Sequence, residues 1–254
     1  MLLAITREVS RSIAACELTY LSREPIDIGR ARQQHAAYEL ALRALGIAVL
    51  SLPEATEMPD AVFIEDTALV LDECAIRLRP GAASRRAEVA EIGRLLSHFC
   101  PLHSVEAPGL VDGGDVLRFG RRVYVGVGQR TNQEAVAQIE AFLGPLGYAV
   151  EAVAFAGCLH LKSAATEVGP GLVLVNPEWV DPGLFGDVKC IEVEPSEAYA
   201  ANALLVGHRV LFPEAFTRTR ERLQRAHIEV VTVQADELAK AEGALTCCSL
   251  ILET

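Results

Sequence analysis

Four short segments of this chain concentrate side chains that bind charge, move protons or act as nucleophiles. Met58-Pro59-Asp60-Ala61-Val62-Phe63-Ile64-Glu65-Asp66-Thr67 sets three carboxylates around an apolar strand seed. Asp60 follows a proline and starts a turn. Glu65 and Asp66 interrupt an apolar run that resumes at Ala68. Carboxylates in such surroundings need a cationic partner, and a guanidinium meets them with planar, paired hydrogen bonds. That cation is a ligand or one of the chain's own arginines, unless the segment is simply a solvated strand end. In Gly109-Leu110-Val111-Asp112-Gly113-Gly114-Asp115 two carboxylates flank a glycine pair. Such glycines allow a close backbone approach to a ligand, and equally make a plain turn.

The third segment, Gly157-Cys158-Leu159-His160-Leu161-Lys162-Ser163-Ala164, places one histidine between leucines in what reads as a strand. His160 is a packed core residue or a general acid-base near neutral pH. The fourth, Ala241-Glu242-Gly243-Ala244-Leu245-Thr246-Cys247-Cys248-Ser249, bends at a glycine and leads into a C-terminal strand with adjacent thiols. On a strand, neighbours point to opposite faces, so one thiol meets the core and the other a cavity. Arg85, Arg130 and Arg218 add a fifth set, each at a loop just before a helix, where an arginine can clamp a carboxylate.

Several classes are excluded. Zinc ligands at metal spacing are absent, as are a Gly-x-Ser-x-Gly elbow, a P-loop and a Gly-x-Gly-x-x-Gly turn. The net charge of −11 repels nucleic-acid phosphates. No apolar stretch reaches membrane-spanning length. Seven cysteines, an odd number with no secretory leader and no C-x-x-C pair, point to a reducing, cytoplasmic setting. What remains is Cys-His chemistry on a small substrate that is cationic at one end and carries a carboxylate at the other.

The elements that must position these groups follow a rhythm. A short apolar strand runs into a Gly- or Pro-containing loop, then a helix, then a second strand. Units start near residues 75, 123 and 210, with a weaker copy near 18 and a degenerate one near 173. The helices are expected from Ser84 to Leu96, Gln129 to Leu143, Thr217 to Ala226, Ile28 to Leu45, and briefly over Pro182 to Phe185. With 51% apolar residues the chain can bury a large core, yet no unit can bury its apolar face alone. The rhythm fits a ring around a central channel, and it also fits an open α/β sheet.

Six ordered strings resemble the dimethylarginine dimethylaminohydrolase family, within the guanidine-modifying amidinotransferase/deiminase superfamily. They are Pro59 to Asp66, Arg79-Pro80-Gly81-Ala82-Ala83-Ser84-Arg85-Arg86, Asp112 to Asp115, Arg130-Thr131-Asn132, Leu159 to Ser163 and Leu245 to Ser249. The resemblance implies a single α/β domain over residues 1–254, a five-bladed pseudosymmetric propeller of the pentein type. It implies hydrolysis of Nω-methylated arginines to citrulline and an alkylamine, without metal or other cofactor. By motif match, Cys247 is the nucleophile, His160 the general acid-base, and Asp112 the carboxylate that orients His160 or steadies the guanidinium. Glu65 and Asp66 hold the guanidinium, and Asp60 sits near the α-amino end. Arg85 and Arg130 grip the α-carboxylate. Leu18 belongs to a loop over the site, and Ala241 and Glu242 are further substrate contacts. Where this chain has Glu242 relatives commonly carry Asp, a departure at the α-amino contact. An arginine or agmatine deiminase is the alternative enzyme, and a non-catalytic guanidino-compound binder the alternative class. A monomer or homodimer is expected.

Overall fold

The computed structural model describes residues 1–253; Thr254, the last residue of the expected domain, lies outside them. β1 (Leu2–Arg7), α1 (Ile28–Ala44) and β2 (Ala48–Leu52) form the first unit. β3 (Ala68–Val70), β4 (Ala75–Arg77), α2 (Val89–Leu96) and β5 (Leu102–Ser104) follow. The third unit is β6 (Val116–Phe119), β7 (Arg122–Val127), α3 (Gln133–Leu143) and β8 (Ala149–Ala154). The fourth opens with the one-turn helix α4 (Leu161–Ala164), then β9 (Ala165–Gly169), β10 (Leu172–Val175) and β11 (Lys189–Glu192). The fifth is β12 (Leu204–Val206), β13 (Arg209–Pro213), α5 (Thr217–Arg225) and β14 (Glu229–Val233). After α6 (Asp236–Ala239) the chain returns in β15 (Leu250–Glu253).

These strands make five three-stranded sheets with one plan: β15-β1-β2, β3-β4-β5, β6-β7-β8, β9-β10-β11 and β12-β13-β14. In each, the first pair is antiparallel and the second parallel. A parallel pair needs a crossover, which is why a helix separates the second and third strands. In the fourth sheet that crossover holds only the 3-10 turn Pro182–Phe185. The fold is a five-bladed α/β propeller, and the open-sheet alternative does not apply.

The first blade borrows its inner strand from the other end of the chain. β15 pairs with β1, Leu252 opposite Leu3 and Ile251 opposite Ala4, and closes the ring. The unit expected to start near residue 18 starts instead at β1, and residues 16–27 are an irregular loop before α1. In the third blade the inner strand β6 is mostly buried and the third strand β8 mostly exposed. The apolar core is correspondingly divided into clusters between neighbouring blades. Ile5, Ile64, Ile76's neighbour Ala75, and Leu250 join the first two, and Leu117, Tyr124, Val173 and Phe185 join the third and fourth. No described helix is long and apolar enough to cross a membrane.

Local chemistry sets the helix starts. Asp27 caps α1 by accepting the Arg30 N–H, and Asn132 caps α3 by accepting that of Ala135. α3 therefore begins at Gln133, after the Arg130-Thr131-Asn132 loop, and not at Gln129. The helix expected from Ser84 divides into a 3-10 turn, Ala83–Ala87, and α2.

Candidate active site at one end of the propeller axis

Each inner strand is entered through a tight turn, and each turn delivers polar side chains to the same end of the ring. Glu65 and Asp66 lie in the 3-10 turn before β3, and Asp112 precedes the turn Gly113–Asp115 before β6. His160 stands at the N-terminus of α4 before β9, Asn202 lies just before β12, and Cys247 occupies the turn Thr246–Cys248 before β15. Two expectations are corrected here. His160 is not within a strand, and the two thiols lie in a 3-10 turn, so strand alternation does not separate them. Cys248 is buried like Cys247, but only Cys247 lines the axial crevice.

His160 Nε2 is 3.1 Å from Asp112 Oδ2. Asp112 is wholly buried and held from two blades: its Oδ1 accepts the Gly81 N–H (2.8 Å), and its own N–H donates to Thr131 Oγ1 (3.3 Å). Thr131 Oγ1 donates a hydrogen bond to Asp115, which also accepts the Leu161 N–H beside His160. Asn132 accepts the Leu110 N–H. The Arg130-Thr131-Asn132 string thus fastens the Asp112 segment, while Arg130 Nη1 lies 3.8 Å from Asp112 itself. The glycine pair is required by close approach. A Cβ on Gly114 would fall 2.5 Å from His160 Nδ1, and one on Gly113 would fall 2.0 Å from the Glu65 carbonyl oxygen.

Asp66 accepts from the Gly114 N–H (2.9 Å) and from Arg85 Nη1. Arg85 is buried and fully engaged, donating also to Glu88 and to the Phe63 carbonyl. The cation that answers Asp66 is thus one of the chain's own arginines; Arg85, expected to grip the substrate's α-carboxylate, is here engaged by Asp66, Glu88 and the Asp60 and Phe63 carbonyls. Burial opposes charge on His160, but Asp66, Asp115 and Asp112 outweigh it and push the imidazole up to about 9. Burial likewise opposes ionisation of Asp66, and nearby His160 and Arg85 overcome it, holding the carboxyl at about 2. Burial raises Asp115 to about 7. Burial, then Glu65 and Asp66, push the Cys247 thiol well above its ordinary value. The resting site thus pairs an imidazolium with a neutral thiol.

The crevice between these groups is small, about 20 Å³, and is lined by Asp60, Asp66, Arg85, Arg130, Ala241 and Glu242 besides His160 and Cys247. That is space for about one water. The loop 16–21 covers it. Asp60 accepts the Glu17 N–H, and Ser84 Oγ bonds the Glu17 carboxylate. Glu242 accepts three successive N–H groups, from Thr19, Tyr20 and Leu21, and Arg130 Nη2 donates to Thr19 Oγ1. A cavity of about 470 Å³ opens beside the crevice, sharing Leu159, Glu242 and Gly243.

Leu18 lies in the covering loop, as expected, but its side chain packs on the apolar cluster around Val62 and Phe63 and does not line the crevice. Two further residues sit differently from expectation. Glu65 does not line the crevice either: Oε1 meets Lys162 Nζ at 2.6 Å and Oε2 accepts from Thr246 Oγ1 at 2.9 Å. Arg218 is exposed at the surface, beside Glu194. Lys162, Thr131, Asn202 and Glu17 were not singled out in the sequence. Lys162 and Asn202 lie in segments that lead into inner strands, and Thr131 and Glu17 in the loops that follow the middle strands β7 and β1. Cys158 is buried, with Sγ 3.3 Å from the His160 carbonyl, and burial pushes it up to about 12.

Asp66, Asp112 and His160 bring one donor atom each within 4.8 Å of one another, a triangle with the donors for a divalent ion. In this protein those carboxylates already have cationic or N–H partners: Arg85 and Gly114 for Asp66, Gly81 for Asp112, and the imidazolium between them.

A ring of five blades with one thiol, one imidazolium and several carboxylates at the end of its axis defines the class of guanidine-modifying α/β propellers. A family model described as N,N dimethylarginine dimethylhydrolase, eukaryotic, matches residues 21–182. The chain belongs to the dimethylarginine dimethylaminohydrolase family. It is 39% identical to the N(G),N(G)-dimethylarginine dimethylaminohydrolase of Streptomyces coelicolor over 98% of this chain and 96% of that one. The enzyme of that name from Pseudomonas aeruginosa is 37% identical over 88% and 89%. The Pseudomonas aeruginosa protein solved as a cysteine-to-serine mutant with citrulline superposes with a TM-score of 0.94 at 35% identity, covering 98% of each chain. The N-terminal domain of ArgZ shares the fold, with a TM-score of 0.89 at 20% identity.

Proposed function

We propose that this chain hydrolyses Nω-methylated L-arginines to L-citrulline and an alkylamine through a covalent intermediate on Cys247. The observation that carries the reading is the convergence of Cys247, His160, Asp112 and Asp66 on one covered crevice. Family membership supports it, since the relatives are named for this reaction and one was solved with citrulline. The whole chain acts as one catalytic unit, and its seven free thiols suit a cytoplasmic setting.

A guanidinium carbon is a poor electrophile because resonance spreads its charge. Asp66 and Asp112 hold its plane, and the arriving cation favours loss of the Cys247 proton to solvent. The thiolate attacks and the C–S bond forms. His160 gives its proton to the departing dimethylamine or methylamine nitrogen, and the C–N bond breaks, leaving a cationic S-alkylthiouronium. The now neutral His160 takes a proton from water as its oxygen bonds the same carbon. Collapse breaks the C–S bond, releases citrulline with its new carbonyl and restores the thiol after a proton returns. One group acts first as acid and then as base, with the carboxylates around it keeping the resting imidazole charged.

At the other end, Asp60 and Glu242 offer carboxylates to the α-ammonium group, beside Ala241. Arg130 takes the α-carboxylate. Arg85 stands behind Asp66 and keeps it ionised. A crevice of about 20 Å³ admits no arginine, so loop 16–21 must open for entry and close for reaction. The test is incubation with asymmetric dimethylarginine, assaying citrulline and dimethylamine together. Equal amounts of both are expected. Citrulline from free arginine with none from the methylated substrate would establish the deiminase reading instead. Cys247→Ser is expected to lower turnover about 10⁴-fold or more while substrate still binds.

A further inference from the structure

Behind the Cys247 turn, outside the crevice, lies a closed polar network. Lys162 Nζ meets Glu65 Oε1 at 2.6 Å and donates to the Gly113 carbonyl at 3.1 Å. Glu65 Oε2 accepts from Thr246 Oγ1 at 2.9 Å. The Asn202 side chain accepts the Thr246 N–H (3.1 Å) and donates to Thr246 Oγ1 (2.9 Å) and to the Lys162 carbonyl (3.2 Å). Thr246 is the residue before the nucleophile. Its turn and that of Glu65 pack directly together. The five residues come from five different blades, each from the segment leading into an inner strand.

We propose that Lys162, through its ion pair with Glu65, is a positioning residue for Cys247: it cancels the carboxylate charge behind the thiol and fixes the turn that aims it. The proposal deepens the function argued above and rests on Cys247 being the nucleophile. Glu65 is the group whose charge most opposes a Cys247 thiolate after burial itself. The Lys162 side chain is 18% exposed and that of Glu65 9%, so little solvent screens the pair. Removing one partner of such a pair leaves the other charge uncompensated. Neither residue lines the closed crevice. The hydrogen bonds from Thr246 to both Glu65 and Asn202 leave the turn no freedom to rotate without breaking the network.

The experiment is alkylation of Cys247 by iodoacetamide, read by mass spectrometry of its peptide, which needs neither substrate nor turnover. Below the thiol's pKa the rate follows the thiolate fraction, about tenfold for each pKa unit. At about pH 8.5, Lys162→Met is expected to slow labelling about tenfold, and Lys162→Arg to retain most of the rate. Glu65→Gln is expected to speed labelling, and the double variant to return to the wild-type rate or above it. General loosening of the turn would speed labelling in every variant, the opposite of the result expected for Lys162→Met. Labelling of Lys162→Met at the wild-type rate, or a double variant as slow as that single one, overturns the proposal. Should Lys162→Met not fold, Glu65→Gln decides alone, and labelling no faster than wild type overturns it. Citrulline formation is measured separately. The expected labelling order without citrulline would sink the proposed substrate and leave the positioning role; citrulline with a flat labelling order would do the reverse.

Discussion

At the residue scale the chemistry depends on who neutralises whom. Asp66 has two firm partners, Arg85 and the Gly114 N–H, and faces His160 as a fixed anion. His160 therefore rests as an imidazolium despite its burial. Its titration, followed by NMR, is expected near pH 9 in the protein and lower in Asp66→Asn; an unmoved midpoint would contradict the assignment. The same shift fixes the sign of a stability effect. A raised imidazole pKa stabilises fully below the unfolded value of about 6.5, and the gain is lost as pH rises through about 9. Asp66, with its pKa lowered, behaves oppositely: its gain is present above about 4 and lost as pH falls through about 2. Denaturation curves of the protein and His160→Gln are thus expected to differ most near pH 6 and to converge towards pH 9.5.

At the element scale, turns matter more than helices. Gly114 lets the imidazole lie against the backbone of the neighbouring turn. Gly114→Ala would drive a methyl into His160 Nδ1, and a catalytic group displaced by about 1 Å costs about a hundredfold in rate. That loss in kcat/KM, with folding retained by circular dichroism, is the expected result. Loop 16–21 is the second such element. Three consecutive N–H groups converge on the Glu242 carboxylate, whose residue adopts φ of 57°. Glu242→Gly suits that backbone and removes the side chain that holds the loop. Hydrogen exchange of the Thr19, Tyr20 and Leu21 amides is expected to quicken about tenfold or more, since charge-assisted bonds are lost. Unchanged protection would mean the loop is held elsewhere.

At the scale of the whole molecule, the ring is closed by the strand that follows the nucleophile. Leu250 and Leu252 of β15 pack with Ile5, Ile64 and Ile92, joining both ends of the chain to the second blade. Leu250 is 4% exposed. Leu250→Ala is expected to lose about 2–5 kcal/mol in chemical denaturation. Closure also makes a specific demand on that measurement: fluorescence and circular dichroism should report one coincident transition, because every blade buries its apolar face against a neighbour. A first blade that unfolds separately would show that the ring is not the cooperative unit.

Read from the amino acids alone, this chain already declared its repeating strand-loop-helix rhythm, most helix spans and the crevice residues Asp60, Asp66, Arg130, His160 and Cys247. Periodicity, caps and glycine-rich turns are local properties, and motif order survives without knowledge of the fold. Glu65 was legible as a buried carboxylate needing a cation, but whether that cation was substrate or Lys162 was not. Nor could local pattern show that β15 would complete the first blade, that residues 16–27 were a cover and not a strand, or that Asn202 belonged behind the thiol. These outcomes depend on contacts between segments far apart in the chain, where charge pairing and shared burial are decided only once the ring has closed.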